Sequence, residues 1–319
     1  MGYQYAYGID IGGTTVKIGL FTAEGELEKK WEIPTRKEEN GAYILPDIAE
    51  AIRQENESRS LDSSAIAGIG IGVPGPVLQE KIVNRCANLG WGVKHIVEEM
   101  TELTGISCIK AGNDANVAAL GEMWKGGGRG HDNLVMVTLG TGVGGAVIIN
   151  GKIVPGAFGA GGEFGHMQVR KDESILCGCG KKGHLEQYAS ATGIVRKAKE
   201  VLSETDTPSV LRNTPQVGAK DVFDAAKAGD ELALSIVDFV GDTLGAAMAL
   251  VSCVVDPEVF VFGGGVSKAG SILIDTIRKH FAEYAFHASE GAGFELASLG
   301  NDAGMYGAVK MILSTGKAD

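Results

Sequence analysis

Several short stretches of the chain pair bare backbone with charge in ways that chemistry could use. Asp10-Ile11-Gly12-Gly13-Thr14-Thr15-Val16-Lys17 sets a carboxylate ahead of two glycines, two hydroxyls and an ammonium. Glycine amides in such a turn can face a phosphate, and the lysine adds countercharge. Gly140-Thr141-Gly142-Val143-Gly144-Gly145 offers a second glycine turn, and Gly263-Gly264-Gly265-Val266-Ser267 a third. Asn113-Asp114 stands at a predicted strand end, where either residue could cap the next helix. Between residues 166 and 184 the chain gathers His166, Cys177, Cys179 and His184, two of its six histidines and two of its five cysteines. Reduced thiols and imidazoles at this density favour a closed zinc site over a disulfide. A redox pair at Cys177 and Cys179, or plain loop residues, are the alternatives.

Gly140 to Gly145 formally meets the glycine spacing of a dinucleotide turn, but such a turn must open a helix onto the pyrophosphate. Here Ala146-Val147-Ile148-Ile149 follows and runs to Asn150-Gly151, so the glycines are predicted to join two strands. No Gly-x-x-x-x-Gly-Lys-Ser/Thr stretch occurs, which excludes a P-loop. Cys86, Cys108 and Cys253 lie in or near apolar runs and read as core thiols.

The elements that must position these residues follow from hydrophobic spacing. Tyr5 to Asp10, Thr15 to Phe21 and Leu27 to Pro34 predict an antiparallel meander, turning at Gly12-Gly13 and Glu24-Gly25. A helix is expected over Ala42 to Glu57, a buried strand over Ile66 to Val73, a helix over Val93 to Thr104 and a strand over Ile106 to Ala111. Asn133 to Leu139 and Ala146 to Asn150, around the second glycine turn, repeat the opening arrangement and predict two related halves. Helices near Thr192 to Leu202, Lys220 to Ala228, Glu231 to Val255 and Ile272 to Tyr284 follow, with a strand at Glu258 to Phe262. Segment 204–218 reads as a surface loop without chemistry. The expected domains are 1–112, joined by the C-terminal helix 303–319, and 113–302.

The 319 residues are enough for about two domains. Lys and Arg number 29 against 40 Asp and Glu, a net charge of −11 that argues against a nucleic-acid backbone as partner. Glycine is the compositional anomaly, at 48 of 319 residues or about 15% against a usual ~7%, without the period of a fibre. Those glycines need local jobs at turns and close approaches. The start lacks both a basic segment and an export-length apolar run, and no stretch reaches the ~18 apolar residues of a membrane span. A cytoplasmic protein with no membrane partner is expected.

Two glycine hairpins with a third cluster after a buried strand resemble the sugar kinase, Hsp70 and actin superfamily. That resemblance implies a two-domain α/β actin-like ATPase fold, related to ribonuclease H, with ATP in an interdomain cleft. Glu163-Phe164-Gly165-His166 followed by Cys177-Gly178-Cys179-Gly180 and Gly183-His184-Leu185-Glu186 narrows it. These residues resemble the ROK (repressor, open reading frame, kinase) family, and Asn301-Asp302-Ala303-Gly304 falls in the expected order, so the match spans essentially the whole chain. Pro74-Gly75-Pro76-Val77, Asn88-Leu89-Gly90-Trp91 and Gln187 to Gly193 are most similar to the glucose-phosphorylating members.

The resemblance implies transfer of the γ-phosphoryl of ATP to the 6-hydroxyl of glucose, giving glucose 6-phosphate. Asp114 is then the catalytic base, with Gly75, Asn88, Asn113, Glu163, His166 and Glu186 on the sugar. Asp10, Gly12, Gly13, Thr14, Lys17, Thr141, Gly142 and Gly263, Gly264 and Gly265 are implied to hold the nucleotide, Asp10 assisting Mg2+ through water. Zinc is implied to be structural, on His166, Cys177, Cys179 and His184. His184 stands where the family usually has a third cysteine, so a His2Cys2 site is expected. The resemblance also implies a homodimer or homotetramer, and domain closure that excludes water.

Other readings compete. The family includes sugar-responsive repressors, but those carry a DNA-reading domain before the first glycine turn, whereas Asp10 arrives within ten residues. N-acetylmannosamine, fructose or allose could replace glucose, since kinases for them share the acid, base and zinc residues. A pure zinc-binding interaction module leaves three glycine clusters unexplained.

Overall fold

The computed structural model describes residues 3–314. The chain divides into two compact units, one holding the residues up to Arg129, Pro155–Ala160 and those from Asn301 onward, the other Gly130–Val154 and Gly161–Gly300.

In the first unit β1 (Tyr5–Ile11), β2 (Thr15–Thr22) and β3 (Leu27–Pro34) form the antiparallel meander that the glycine turns predicted. A short turn, α1 (Glu38–Gly41), and the helix α2 (Ile44–Ser58) lead to β4 (Ile66–Val73), which lies parallel to β1. A separate sheet of β5 (Val77–Leu78), β6 (Ile82–Cys86) and β7 (Trp91–Lys94) comes next. Then α3 (Ile96–Thr104) returns the chain to β8 (Ile109–Asn113), parallel to β4, and α4 (Asp114–Lys125) follows. The five strands run in the order β3-β2-β1-β4-β8.

Side chains alternate across a strand, and β1 uses both faces. Tyr7, Ile9 and Ile11 join a core with Ile44, Ile48 and Ile52 of α2 and Ile96 and Met100 of α3. On the opposite face Ala6 packs with Met305, Val309 and Ile312 of the C-terminal helix Ala303–Leu313. That helix lies almost on the sheet backbone: a Cβ on Gly8 would fall 2.3 Å from Met305 O, and one on Gly70 would fall 1.8 Å from Ala308 O. It meets α4 as closely, since a Cβ on Gly307 would sit 1.7 Å from Val117 O. This contact moves residues 113–129 into the first unit, where the sequence had suggested a boundary at 112. The expected helix 303–319 runs from Ala303 to Leu313 with Ser314 as its cap, and residues 315–319 of that expectation lie outside the described residues.

The second unit repeats the plan. The strands β9 (Leu134–Leu139), β10 (Val143–Ile149) and β11 (Lys152–Ile153) form a meander. After the helices α5 (Glu186–Ala189), α6 (Ala191–Glu204), α7 (Ala219–Lys227) and α8 (Glu231–Val255), β12 (Val259–Gly263) joins parallel to β9. The helix α9 (Ser271–Tyr284) then leads to β13 (Gly293–Leu296), parallel to β12. The order β11-β10-β9-β12-β13 is the first sheet's order again, so the two predicted halves are topological equivalents.

Some boundaries moved. Val143 pairs with Leu139, so β10 begins three residues before the predicted Ala146 and leaves a three-residue loop. The strand predicted from Ile106 starts at Ile109 and runs to Asn113, because a left-handed Gly105 first ends α3. α8 has the length and apolarity to cross a membrane, yet it buries Leu232, Ile236, Val240, Leu244, Met248 and Val251 in the unit's core. Cys253 was expected in that core and is exposed instead, since helical periodicity turns it away from the face that carries Val251 and Ser252.

Candidate active site

In the first unit the register decides where the polar residues emerge. Asp10 pairs with Gly72, and Gly72 with Gly112, so Asp10 and Asn113 come out at the carboxyl ends of three adjacent parallel strands, the edge where open α/β sheets present ligand-binding groups. Asn113 is both the last residue of β8 and the cap of α4. Its Oδ1 accepts from Ala115 N at 3.1 Å and Asn116 N at 3.2 Å, while its Nδ2 donates to Gly75 O at 3.1 Å and to Asp114 Oδ1 at 3.0 Å.

Burial raises the pKa of Asp114 above the ordinary carboxylate value, the hydrogen bond from Ala115 N opposes it, and the negative charge of Asp10 raises it further. Asp10 is likewise raised by burial, against which the Lys17 ammonium pulls down. Lys17 faces Asp10 across the hairpin, with Nζ 3.5 Å from Oδ2 and 3.0 Å from Asn301 O. Two carboxylates reluctant to ionise, each with polar support, suit a proton acceptor and a cation ligand.

Of the other residues expected in this half, Gly75 has φ 95° and is bonded to Asn113, and Arg85 and Cys86 pack against it. Asn88 is exposed in the one-turn helix Ala87–Leu89 that follows. Gly13 and Thr14 are exposed at the hairpin tip, and Gly12 N donates to Thr15 O at 3.0 Å.

In the second unit one cavity of about 400 Å3 collects Gly140, Gly142, Val143 and Gly144 of the hairpin, Thr138 of β9, Gly264 after β12, and Glu163, His166 and Glu186. The turn is pinned to the start of α6, where Ala191 N donates to Gly140 O at 2.8 Å and Thr192 Oγ1 to Thr141 O at 3.1 Å. Gly264 has φ 87°, and a Cβ there would meet Leu139 O at 2.5 Å, so the chain can turn past β9 only as glycine. Gly263 pairs with Thr138, and Gly265 opens onto a second, mostly apolar cavity of about 370 Å3 with Phe223, Val266 and Ala269. Thr138 was missed from sequence, though it is the one hydroxyl in the run Leu134-Val135-Met136-Val137-Thr138-Leu139.

The His and Cys residues converge. Ligand atoms of His166, Cys177, Cys179 and His184 all lie within 4.8 Å of one another. His166 Nδ1 is 3.4 Å from His184 Nδ1 and 3.7 Å from Cys177 Sγ, and Cys179 Sγ is 3.4 Å from His184 Nδ1. A tetrahedral zinc with bonds of about 2.0–2.3 Å sets its ligands roughly 3.3–3.8 Å apart, so the donor set and its edges fit that ion. Both histidines turn Nδ1 inward, leaving Nε2 of the exposed His166 for another partner. Bridges at Gln168–His184 and Leu176–Lys182 close the loop, and Gln187 braces it, accepting from His184 N at 3.0 Å and donating to Ile175 O at 2.8 Å. Cys177 Sγ donates to Glu186 Oε1 at 2.8 Å. Burial and that carboxylate push its thiol up to about 11, a direction that a bound cation reverses.

Comparison with known proteins agrees with these features. The model of the ROK family matches residues 6–315. The chain is 43% identical to the glucokinase of Halalkalibacterium halodurans, over 96% of this chain and 94% of that one. It is 38% identical to the glucokinase of Thermotoga maritima, over 96% of each. Among solved structures, a ROK family glucokinase from Streptomyces griseus in complex with glucose and AMPPNP superposes with a TM-score of 0.72 at 34% identity, over 96% of this chain and 98% of that one.

Proposed function

The chain belongs to the ROK family, and from that premise we propose that it is an ATP-dependent glucokinase with the actin-like ATPase fold, moving the γ-phosphoryl of ATP to the 6-hydroxyl of glucose. The observation that carries this reading is the cavity in which a glycine turn suited to phosphate shares its wall with three side chains suited to a polyol, Glu163, His166 and Glu186.

Asp114 accepts the proton of the 6-hydroxyl as the phosphoryl group leaves ADP, and Asn113 holds both that carboxylate and a neighbouring hydroxyl. Gly75 and Asn88 are further proposed sugar-binding residues. Glu163, His166 and Glu186 accept from the remaining hydroxyls, His166 through Nε2. The amides of Gly13, Thr14, Thr141 and Gly142 face the phosphates, Gly12 shapes the first turn with its own N–H held by Thr15 O, Lys17 supplies countercharge, and Gly263, Gly264 and Gly265 border the nucleoside, whose base fits the apolar cavity beside Phe223. A single carboxylate at Asp10 fits Mg2+, which keeps most of its waters and, when bound, draws charge from the phosphates. The zinc residues would fix the loop that carries His166 and lead into Glu186. The buried α8 and five free cysteines suit a soluble, cytoplasmic enzyme, and the family likeness implies a homodimer or homotetramer, which sedimentation decides.

The test is incubation of the purified protein with Mg-ATP and a panel of hexoses. Glucose 6-phosphate is the expected product. Phosphorylation of N-acetylmannosamine, fructose or allose with glucose inert would reassign the substrate, and absence of ATP consumption with every sugar would end the kinase reading.

A further inference from the structure

Two lysines stand at the first glycine turn, and their charges are not equally available. Lys17 is engaged by Asp10 Oδ2 and Asn301 O. Lys37 is exposed, and while its carbonyl accepts from Gly41 N at 3.0 Å, its ammonium makes no hydrogen bond or ion pair with any of the described residues. Its Nζ lies 3.7 Å from the point a Cβ on Gly13 would occupy, directly over the tip of the turn.

This placement is built into the fold. Where β3 ends, Thr35 N donates to Thr14 O at 2.9 Å and Thr35 Oγ1 to Gly12 O at 2.8 Å, so the segment after β3 is clasped to the hairpin on both sides of Gly13. Thr35 is buried while Lys37, two residues on, projects to solvent. The neighbouring cation Arg36 is committed to Asp47, which leaves Lys37 as the ammonium free to meet an incoming phosphate.

We propose that Lys37 is a further catalytic residue, its ammonium contacting the phosphoryl group in flight. This rests on the glucokinase reading above. As the γ-phosphorus leaves the bridging oxygen of ATP and bonds to the sugar oxygen, the hydroxyl proton passes to Asp114 and ADP departs. Lys37 takes no part in the proton transfer and balances charge on the equatorial oxygens. A donor that meets those oxygens best in the planar, in-line geometry of the transition state lowers the barrier by more than it tightens binding of ATP. Lys17 cannot serve equally, because drawing it away strips the half-buried Asp10 carboxylate of its partner.

Lys37→Ala, Lys37→Arg and wild type would be compared with glucose and Mg-ATP. Glucose turnover by the wild type, measured first, separates failure of the glucokinase reading from failure of this assignment. Lys37→Ala should lower kcat by about 10²–10³-fold, the scale of one lost transition-state donor. Glucose KM and affinity for a non-hydrolysable ATP analogue should stay within about threefold, and the melting temperature should hold because the side chain is exposed. Added methylammonium should restore part of the lost turnover in proportion to its concentration, and Lys37→Arg should keep most of it. A kcat within about threefold of wild type, or a loss carried entirely by KM, would overturn the proposal.

Discussion

Asn113 holds Asp114 from one residue away: its amide donates to Asp114 Oδ1 at 3.0 Å and to Gly75 O at 3.1 Å, while its oxygen caps the helix that Asp114 begins. A helix cap thus doubles as the support of a carboxylate that burial keeps hard to ionise.

Only the ionised form of Asp114 can accept a proton. Activity should therefore fall on the acid side through a pKa above the ordinary 3.8, and Asp114→Ala should lower kcat by about 10²–10⁴-fold while isothermal titration still detects glucose. The stability effect has the opposite sign. An acid whose pKa rises on folding favours the fold below its unfolded value, and that contribution is lost as pH climbs through the folded value. At neutral pH ionised Asp114 is a cost, so Asp114→Asn should raise the melting temperature as it abolishes turnover. A lowered melting temperature at pH 7 would contradict the burial argument.

The metal cluster predicts one zinc per chain by elemental analysis of the purified protein. His184→Ala should lose that zinc, and kcat/KM for glucose should drop by about 10²-fold, the scale of a ~1 Å displacement of sugar-holding groups. His184→Cys keeps a tetrahedral donor set and should retain both. A metal-free wild type with full activity would remove zinc from the account.

Gly142 tests the second unit's cavity. A Cβ there would lie 2.9 Å from Glu186 Oε2, the flexible end of a side chain rather than backbone. Gly142→Ala should fold normally yet displace that carboxylate, lowering kcat/KM for glucose by about 10–100-fold, as expected for a lost hydrogen bond to a charged group. In a Glu186→Ala background the same change should add little. An equal loss in both backgrounds would place the effect on the turn itself.

Much of this was legible in the residues, for reasons that differ by position. β-branched runs around Gly12-Gly13 and Gly140 to Gly145 demand strands on both sides, so the hairpins and their repetition could be read directly. The Cys and His cluster was visible because His166, Cys177, Cys179 and His184 lie close together in the chain, and their ligand atoms do come within 4.8 Å of one another. The sheet of β5, β6 and β7 was not, because its strands span two to five residues and the adjacent Asn84 and Arg85 of β6 are both exposed, too short for a period to emerge. Lys37 was equally hidden. Nothing in Pro34-Thr35-Arg36-Lys37 announces a hairpin more than twenty positions upstream, and only the hydrogen bonds of Thr35 bring them together.

The near-touching backbones of Gly8, Gly70 and Gly307 also set an order of events during synthesis. The helix that fills those gaps follows the whole second unit in the chain, so on the ribosome β1, β4 and α4 wait with one apolar side bare until residues 303–313 emerge. The second unit has by then been made in full and can mature first. A chain cut short before residue 303 would lack the cover for its opening half, leaving sticky sheet surface for chaperones or proteases to find.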